Sequence, residues 1–127
     1  VTAAETVNAE AAPNLAITKS VSPVPVTENG TLTYTFRIQN YGSVAATNTT
    51  GVVITDTFAP VLNNLTAALN GTAWTAATDY TYNETTGTFS STAGAITVPA
   101  ATYTQDSTTG AWVVTPGEST LVITGTV

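Results

Sequence analysis

One run constrains this chain more than any other: residues 31–41, Thr-Leu-Thr-Tyr-Thr-Phe-Arg-Ile-Gln-Asn-Tyr. Leu32, Tyr34, Phe36 and Ile38 fall on one side of an extended backbone, and Thr31, Thr33, Thr35, Arg37 and Gln39 on the other. Strict alternation with period two means a strand with one face in a core and one in water. Thr, Tyr, Phe and Ile also suit a pleated surface. Asn29-Gly30 before it and Gly42-Ser43 after it are turn signals. The run is expected to be the central strand of a β-sandwich.

The rest of the chain follows the same period. Residues 14–21 read as the first strand, with Leu15, Ile17 and Val21 on one face and Lys19 in register with them. Pro23 and Pro25 remove ladder donors from residues 22–26, which suits an edge or a change of sheet. Residues 51–58 and 95–99 are expected as strands, with Leu62, Leu65 and Leu69 closing one end of the sandwich over a short strand or turn. Asn83-Glu84-Thr85-Thr86-Gly87-Thr88-Phe89 and Asp106-Ser107-Thr108-Thr109-Gly110-Ala111-Trp112 repeat one pattern: Asx, then Thr-Thr-Gly, then an aromatic. An Asx side chain bonds amides ahead of it and Gly takes the left-handed position, so each copy is expected to be a hairpin. Pro116-Gly117 should turn into the last strand, residues 119–127, with Leu121, Ile123 and Val127 inward. Eight or nine short strands with turns between them, and no helical periodicity in the body, indicate an all-β, immunoglobulin-like β-sandwich over residues 14–127 with an extended N-terminal arm over residues 1–13.

Composition limits what such a domain does. Charged residues make up only 8% of the 127, against roughly 25% in an ordinary soluble domain. Lys19 and Arg37 are the only cations, and the net charge is −6. That excludes nucleic acid and anionic membrane as partners, since phosphates need Lys and Arg. Thr, which faces water and still favours strands, supplies the polar surface instead, as suits a β-structure that packs on copies of itself. The chain has no Cys, His or Met. Val1 is therefore expected to be a processed N-terminus left by a removed signal sequence, which places the protein outside the cell or at its surface. No apolar run approaches the roughly 20 residues of a membrane span.

Several segments together resemble a known family. They are Leu15-Ala16-Ile17-Thr18-Lys19-Ser20-Val21-Ser22-Pro23, Asn29-Gly30-Thr31-Leu32-Thr33-Tyr34, Asn40-Tyr41-Gly42, Val53-Ile54-Thr55-Asp56-Thr57-Phe58 and Thr120-Leu121-Val122-Ile123-Thr124-Gly125-Thr126-Val127. In this order and spacing the chain resembles the surface-protein repeat called domain of unknown function eleven. The resemblance covers residues 14–127 and implies an immunoglobulin-like fold with a structural or adhesive role at a prokaryotic cell surface. Family members usually occur in tandem; this chain has one copy and an added arm, and residues 74–112 are less regular.

Candidate chemistry is sparse. With no His or Cys and with scattered carboxylates, catalysis is not expected, and neither is a cofactor. Asp79, Asn83, Glu84 and Asp106 are the nearest approach to a calcium set, but hairpin turns use such residues for backbone reasons alone. Asn29, Asn48, Asn64, Asn70 and Asn83 each begin an Asn-x-Thr sequon and are candidate glycosylation sites. Lys19, with Asp56, is similar to the Lys and acid of isopeptide-forming pilin domains, where a last-strand Asn accepts the bond. Residues 119–127 contain no Asn, so an ion pair of Lys19 with Asp56 or Glu118 is expected instead.

Two functions of different class follow. In the first, the arm carries Val1, Ala3, Val7, Ala9 and Ala11 on alternate positions, interrupted by Glu5 and cut from the body by Pro13. By propensity it also suits a helix, and a frayed terminus is the plain alternative. As a strand it must borrow hydrogen bonds from a sheet, and a neighbouring copy is the expected source. The protein would then be a filament or surface-polymer subunit whose partners are copies of itself. In the second, Trp74, Tyr80, Tyr82, Tyr103 and Trp112 form a platform for a surface glycan, and the domain is an adhesion module.

Overall fold

The computed structural model describes residues 13–22 and 28–127. Among them the chain forms ten strands and no helix: β1 (Leu15–Ser22), β2 (Thr31–Asn40), β3 (Thr55–Thr57), β4 (Asn63–Leu69), β5 (Thr72–Ala73), β6 (Tyr80–Asn83), β7 (Thr88–Ser91), β8 (Thr102–Gln105), β9 (Trp112–Thr115) and β10 (Gly117–Thr126). Five make one antiparallel sheet in the order β1-β2-β10-β4-β5. Three make a second, β3-β7-β6, and β8 with β9 stands as a separate ribbon. The fold is the all-β sandwich that the alternation indicated. The arm positions Val1, Ala3, Val7, Ala9 and Ala11 lie outside the described residues, as do residues 23–27.

β2 behaves as its alternation requires. Leu32, Tyr34, Phe36 and Ile38 are buried, while Thr33, Thr35 and Arg37 are half-buried or exposed. β1 pairs with it over eight residues, from Leu15 opposite Asn40 to Ser22 opposite Thr33. β10 pairs along its other side, from Gly117 opposite Asn40 to Thr126 opposite Thr31. The middle of the five-strand order is thus β10, with β2 one place off centre. Across the sandwich Tyr34 stacks on Phe58, with centroids 4.5 Å apart, and Phe58 and Tyr80 both pack on Phe89. Leu62, Ile96, Leu121 and Ile123 complete the buried centre.

Three expectations change. Residues 51–58 are a strand only at Thr55–Thr57; Ile54 is instead held through Ser91, whose Oγ accepts the Ile54 amide at 2.8 Å. Residues 95–99 form no strand: Ile96 and Val98 are buried from a loop held by one bridge, Ala46 to Val98, and by the Asn40 and Ser119 side chains, which donate to the carbonyls of Pro99 and Thr97. Residues 63–69, expected as a short closure, are a full strand between β10 and β5, because Ala67 and Leu69 continue the inner face beside Ile123 and Leu121. The last strand also starts earlier than expected. Gly117 is within it, paired with Asn40, and a Cβ there would sit 1.8 Å from the Pro99 carbonyl oxygen.

Both Asx-Thr-Thr-Gly segments form their hairpins. Asn83 Oδ1 accepts the amides of Thr85 and Thr86, and Asp106 Oδ1 those of Thr108 and Thr109. Gly87 and Gly110 take φ of 78° and 76°.

Candidate functional site

β1 is the outermost strand of its sheet, and all eight of its residues are exposed. Three of its inward-row side chains are apolar: Leu15 at 36% exposure, Ile17 at 50% and Val21 at 38%. Across from them runs the chain at residues 52–56, which leads into β3, the outermost strand of the second sheet. Among the described residues β1 bonds only to β2 and β3 only to β7, which leaves the sandwich open between these two margins. Two hollows of about 400 and about 190 Å³ occupy the opening and share Ile17, Val53 and Ile54, making one groove. Its apolar end is walled by Leu15, Val52 and Val53 over Ile38; its other end holds Lys19 and Asp56 beside Phe36.

Lys19 meets the acid expected of it. Its ammonium lies 2.5 Å from Asp56 Oδ2, an oxygen shut off from water that accepts no hydrogen bond among the described residues. Asp56 Oδ1 takes the Thr57 amide at 2.8 Å. The ammonium also lies 4.9 Å from the centre of the Tyr34 ring and 5.7 Å from that of Phe58, where the ring faces attract a cation. Glu118, the other candidate acid, pairs with Arg37 at 2.9 Å. The Arg37 hydrogen bond holds the Glu118 carboxyl below its ordinary range.

The other expected sites are dispersed. Asp79 Oδ2 accepts the Thr75 amide and Glu84 Oε2 the Asn64 amide, while Asn83 and Asp106 cap their turns, so all four serve the backbone. Among the described residues no three His, Cys, Asp or Glu side chains gather as a metal would need. The aromatic set divides. Tyr80 is buried under Trp74, and the Tyr82 hydroxyl donates to the Leu62 carbonyl and accepts the Leu62 amide. Burial pushes the hydroxyl groups of Tyr80 and Tyr82 above their ordinary range. Tyr103 and Trp112 lie on the β8–β9 ribbon, exposed by 44% and 65%. The pairing of Gln105 with Trp112 sets these two on one face.

All five sequon asparagines are exposed. Asn29 and Asn70 adopt positive φ in turns, and Asn70 is committed to the fold: its Oδ1 accepts the Thr120 amide and its Nδ2 donates to Ser119 Oγ. Asn64 sits in β4 and Asn83 at the tip of β6, whereas Asn48 belongs to the loop between β2 and β3.

Two features escaped the sequence reading. Asn70-Gly71, with φ of 51° and 83°, turns β4 into β5, and an Asn-Gly pair between strands is itself a hairpin signal. The groove had no local signature, because its walls come from segments some 35 residues apart that only the tertiary fold brings together. Comparison with protein-family models, curated proteins and solved structures found no match to this chain.

Proposed function

We propose that the chain is a structural subunit of an extracellular filament or cell-surface polymer, joined to its neighbour by insertion or addition of residues 1–13. The observation that carries this reading is the margin at β1: eight exposed residues, three of them large and apolar, on a sheet edge with no strand beyond it among the described residues. Soluble proteins usually blunt such edges with charges, prolines or bulges, because unpaired backbone recruits other strands. Here only Lys19 in eight residues is charged. An extended segment added to this margin gains main-chain bonds and side-chain pockets together. A head-to-tail contact of this kind need not close, and an open one makes a fibre. The charge-poor, Thr-rich surface and the resemblance to cell-surface repeats support the same reading. Removing residues 1–13 should leave a folded monomer; fibres of unchanged morphology by negative-stain microscopy would sink the proposal.

A second reading rests on the β8–β9 ribbon. Tyr103 and Trp112 on one exposed face suit an adhesion module that stacks sugar rings. Loss of glycan binding in Trp112→Ala, with melting unchanged, would favour it over polymerisation.

A further inference from the structure

We propose that the groove between β1 and residues 52–56 is the acceptor for residues 1–12 of a second copy, with Glu5 set against Lys19. This rests on the arm-exchange reading above and assigns its receiving site.

The first argument is fit. Twelve extended residues reach roughly 40 Å, enough to cover an eight-residue strand of roughly 27 Å. Residues 1–7, Val-Thr-Ala-Ala-Glu-Thr-Val, repeat the spacing of residues 15–21, Leu-Ala-Ile-Thr-Lys-Ser-Val. Val1, Ala3 and Val7 match Leu15, Ile17 and Val21, and the charge between them changes sign, Glu5 for Lys19. Glu5 shares its strand face with the arm's apolar row. Placing it opposite Lys19 brings Val and Ala against Leu15, Ile17 and Val21 whichever way the arm runs. A slip of one residue would turn Thr6, Asn8 and Glu10 inward.

The second argument is charge. Of the two cations, Arg37 is paired with Glu118, and Lys19 is the one that lines the groove. An ammonium has three donors. Asp56 engages one face of it, and the Lys19 side chain is still 42% exposed. A carboxylate arriving along the groove meets a cation already fixed in place.

The third argument says whose arm enters. Asn14 is already part of the sheet: its carbonyl accepts the Tyr41 amide at 2.8 Å and its amide donates to Asn40 Oδ1 at 3.0 Å. An arm folding back onto its own β1 through a tight hairpin turns within residues 11–13. A two-residue loop at 12–13 sets Glu10 against Leu15 and Asn8 against Ile17, which puts the polar face inward. A three-residue loop at 11–13 corrects the face but needs a left-handed residue at its end, and Pro13 is locked near −65°. Neither tight hairpin seats the apolar row in the arm's own groove, which favours a second copy as the donor.

The test uses full-length chains. Ile17→Arg fills the groove from a half-exposed position, and Thr18→Arg places the same charge on the opposite face of β1. Assembly is followed by sedimentation and negative-stain microscopy. The wild type and Thr18→Arg should form fibres, while Ile17→Arg stays monomeric with an unchanged melting temperature. Glu5→Lys should raise the concentration needed for assembly at least tenfold. If Ile17→Arg is poorly folded, a peptide of residues 1–12 in excess over the wild type decides. It should stop fibre growth and shift amide resonances of β1 and residues 52–56; shifts confined elsewhere overturn the site. Normal fibres from Ile17→Arg, with none from the chain lacking residues 1–13, would overturn the groove and leave arm exchange standing. Fibres from the shortened chain would overturn both.

Discussion

Asn40 is buried completely and uses every hydrogen-bonding position of its amide. Nδ2 donates to the carbonyls of Val44 and Pro99, and Oδ1 accepts the amides of Asn14 and Gly42. One side chain thus ties the start of β1, the turn after β2 and the loop before β8 together. Asn40→Ala strands two amides and two carbonyls. At about 1–3 kcal/mol for each buried group left unpaired, less what water recovers, a loss of about 3 kcal/mol or more is expected in a denaturant melt. Lys19 allows a covalent check. With no Asn on β10 to accept a bond from Lys19, the denatured chain should show the full mass of its 127 residues apart from any glycan. A deficit of one ammonia or one water mapped to a Lys19 peptide would refute this. Lys19 stood out in the sequence by its likeness to isopeptide-forming domains, but its acid stayed open between Asp56 and Glu118 until the fold set Asp56 beside it. The role of Asn40 was not legible there, because two of its four partners, Asn14 and Pro99, lie 26 and 59 residues away along the chain.

At the scale of elements, legibility followed locality. β2 declared itself through its own alternation, and Phe36→Ala should cost about 3–5 kcal/mol as a large core side chain is lost. The Asx-Thr-Thr-Gly hairpins were equally plain, since a capping oxygen and a left-handed glycine act within a few residues. The Asp106 hairpin carries a pH signature. Amides of Thr109 and Thr108 hold the Asp106 carboxyl below its ordinary range. Its contribution is therefore present above the usual carboxylate range, about pH 4, and is lost as pH falls through the lowered folded value. The Thr108 and Thr109 amide resonances should move in acid with a midpoint below that of a free Asp. A midpoint at or above the free value would refute the cap. β4 was harder to see because Asn63, Asn64 and two alanines are poor strand formers. Its place is set by β10 and not by its own residues. Residues 95–99 misled in the opposite way: Ile96 and Val98 alternate, but Gly94 and Pro99 bracket them, and burial alone does not make a ladder.

For the whole molecule, the two long ladders on β2 have a mechanical consequence. β1 and β10 both run antiparallel to β2 and so run parallel to each other. β1 therefore begins beside Asn40, while β10 ends beside Thr31, at the far end of the same strand. Tension applied between residues 13 and 127 pulls these ends apart along the strand axis. The bonds of both ladders then bear load together in shear. Tension between residues 13 and 41 enters at one end and peels β1 from β2 bond by bond. Because the chain lacks cysteine, single thiols at Pro13 and Val127, or at Pro13 and Tyr41, can direct the force. The first pair should rupture at a clearly higher force than the second at equal loading rate; equal forces would mean that the β1–β2–β10 ladder does not carry the load. A domain built this way resists stretching along its strands and yields easily to being peeled from one side.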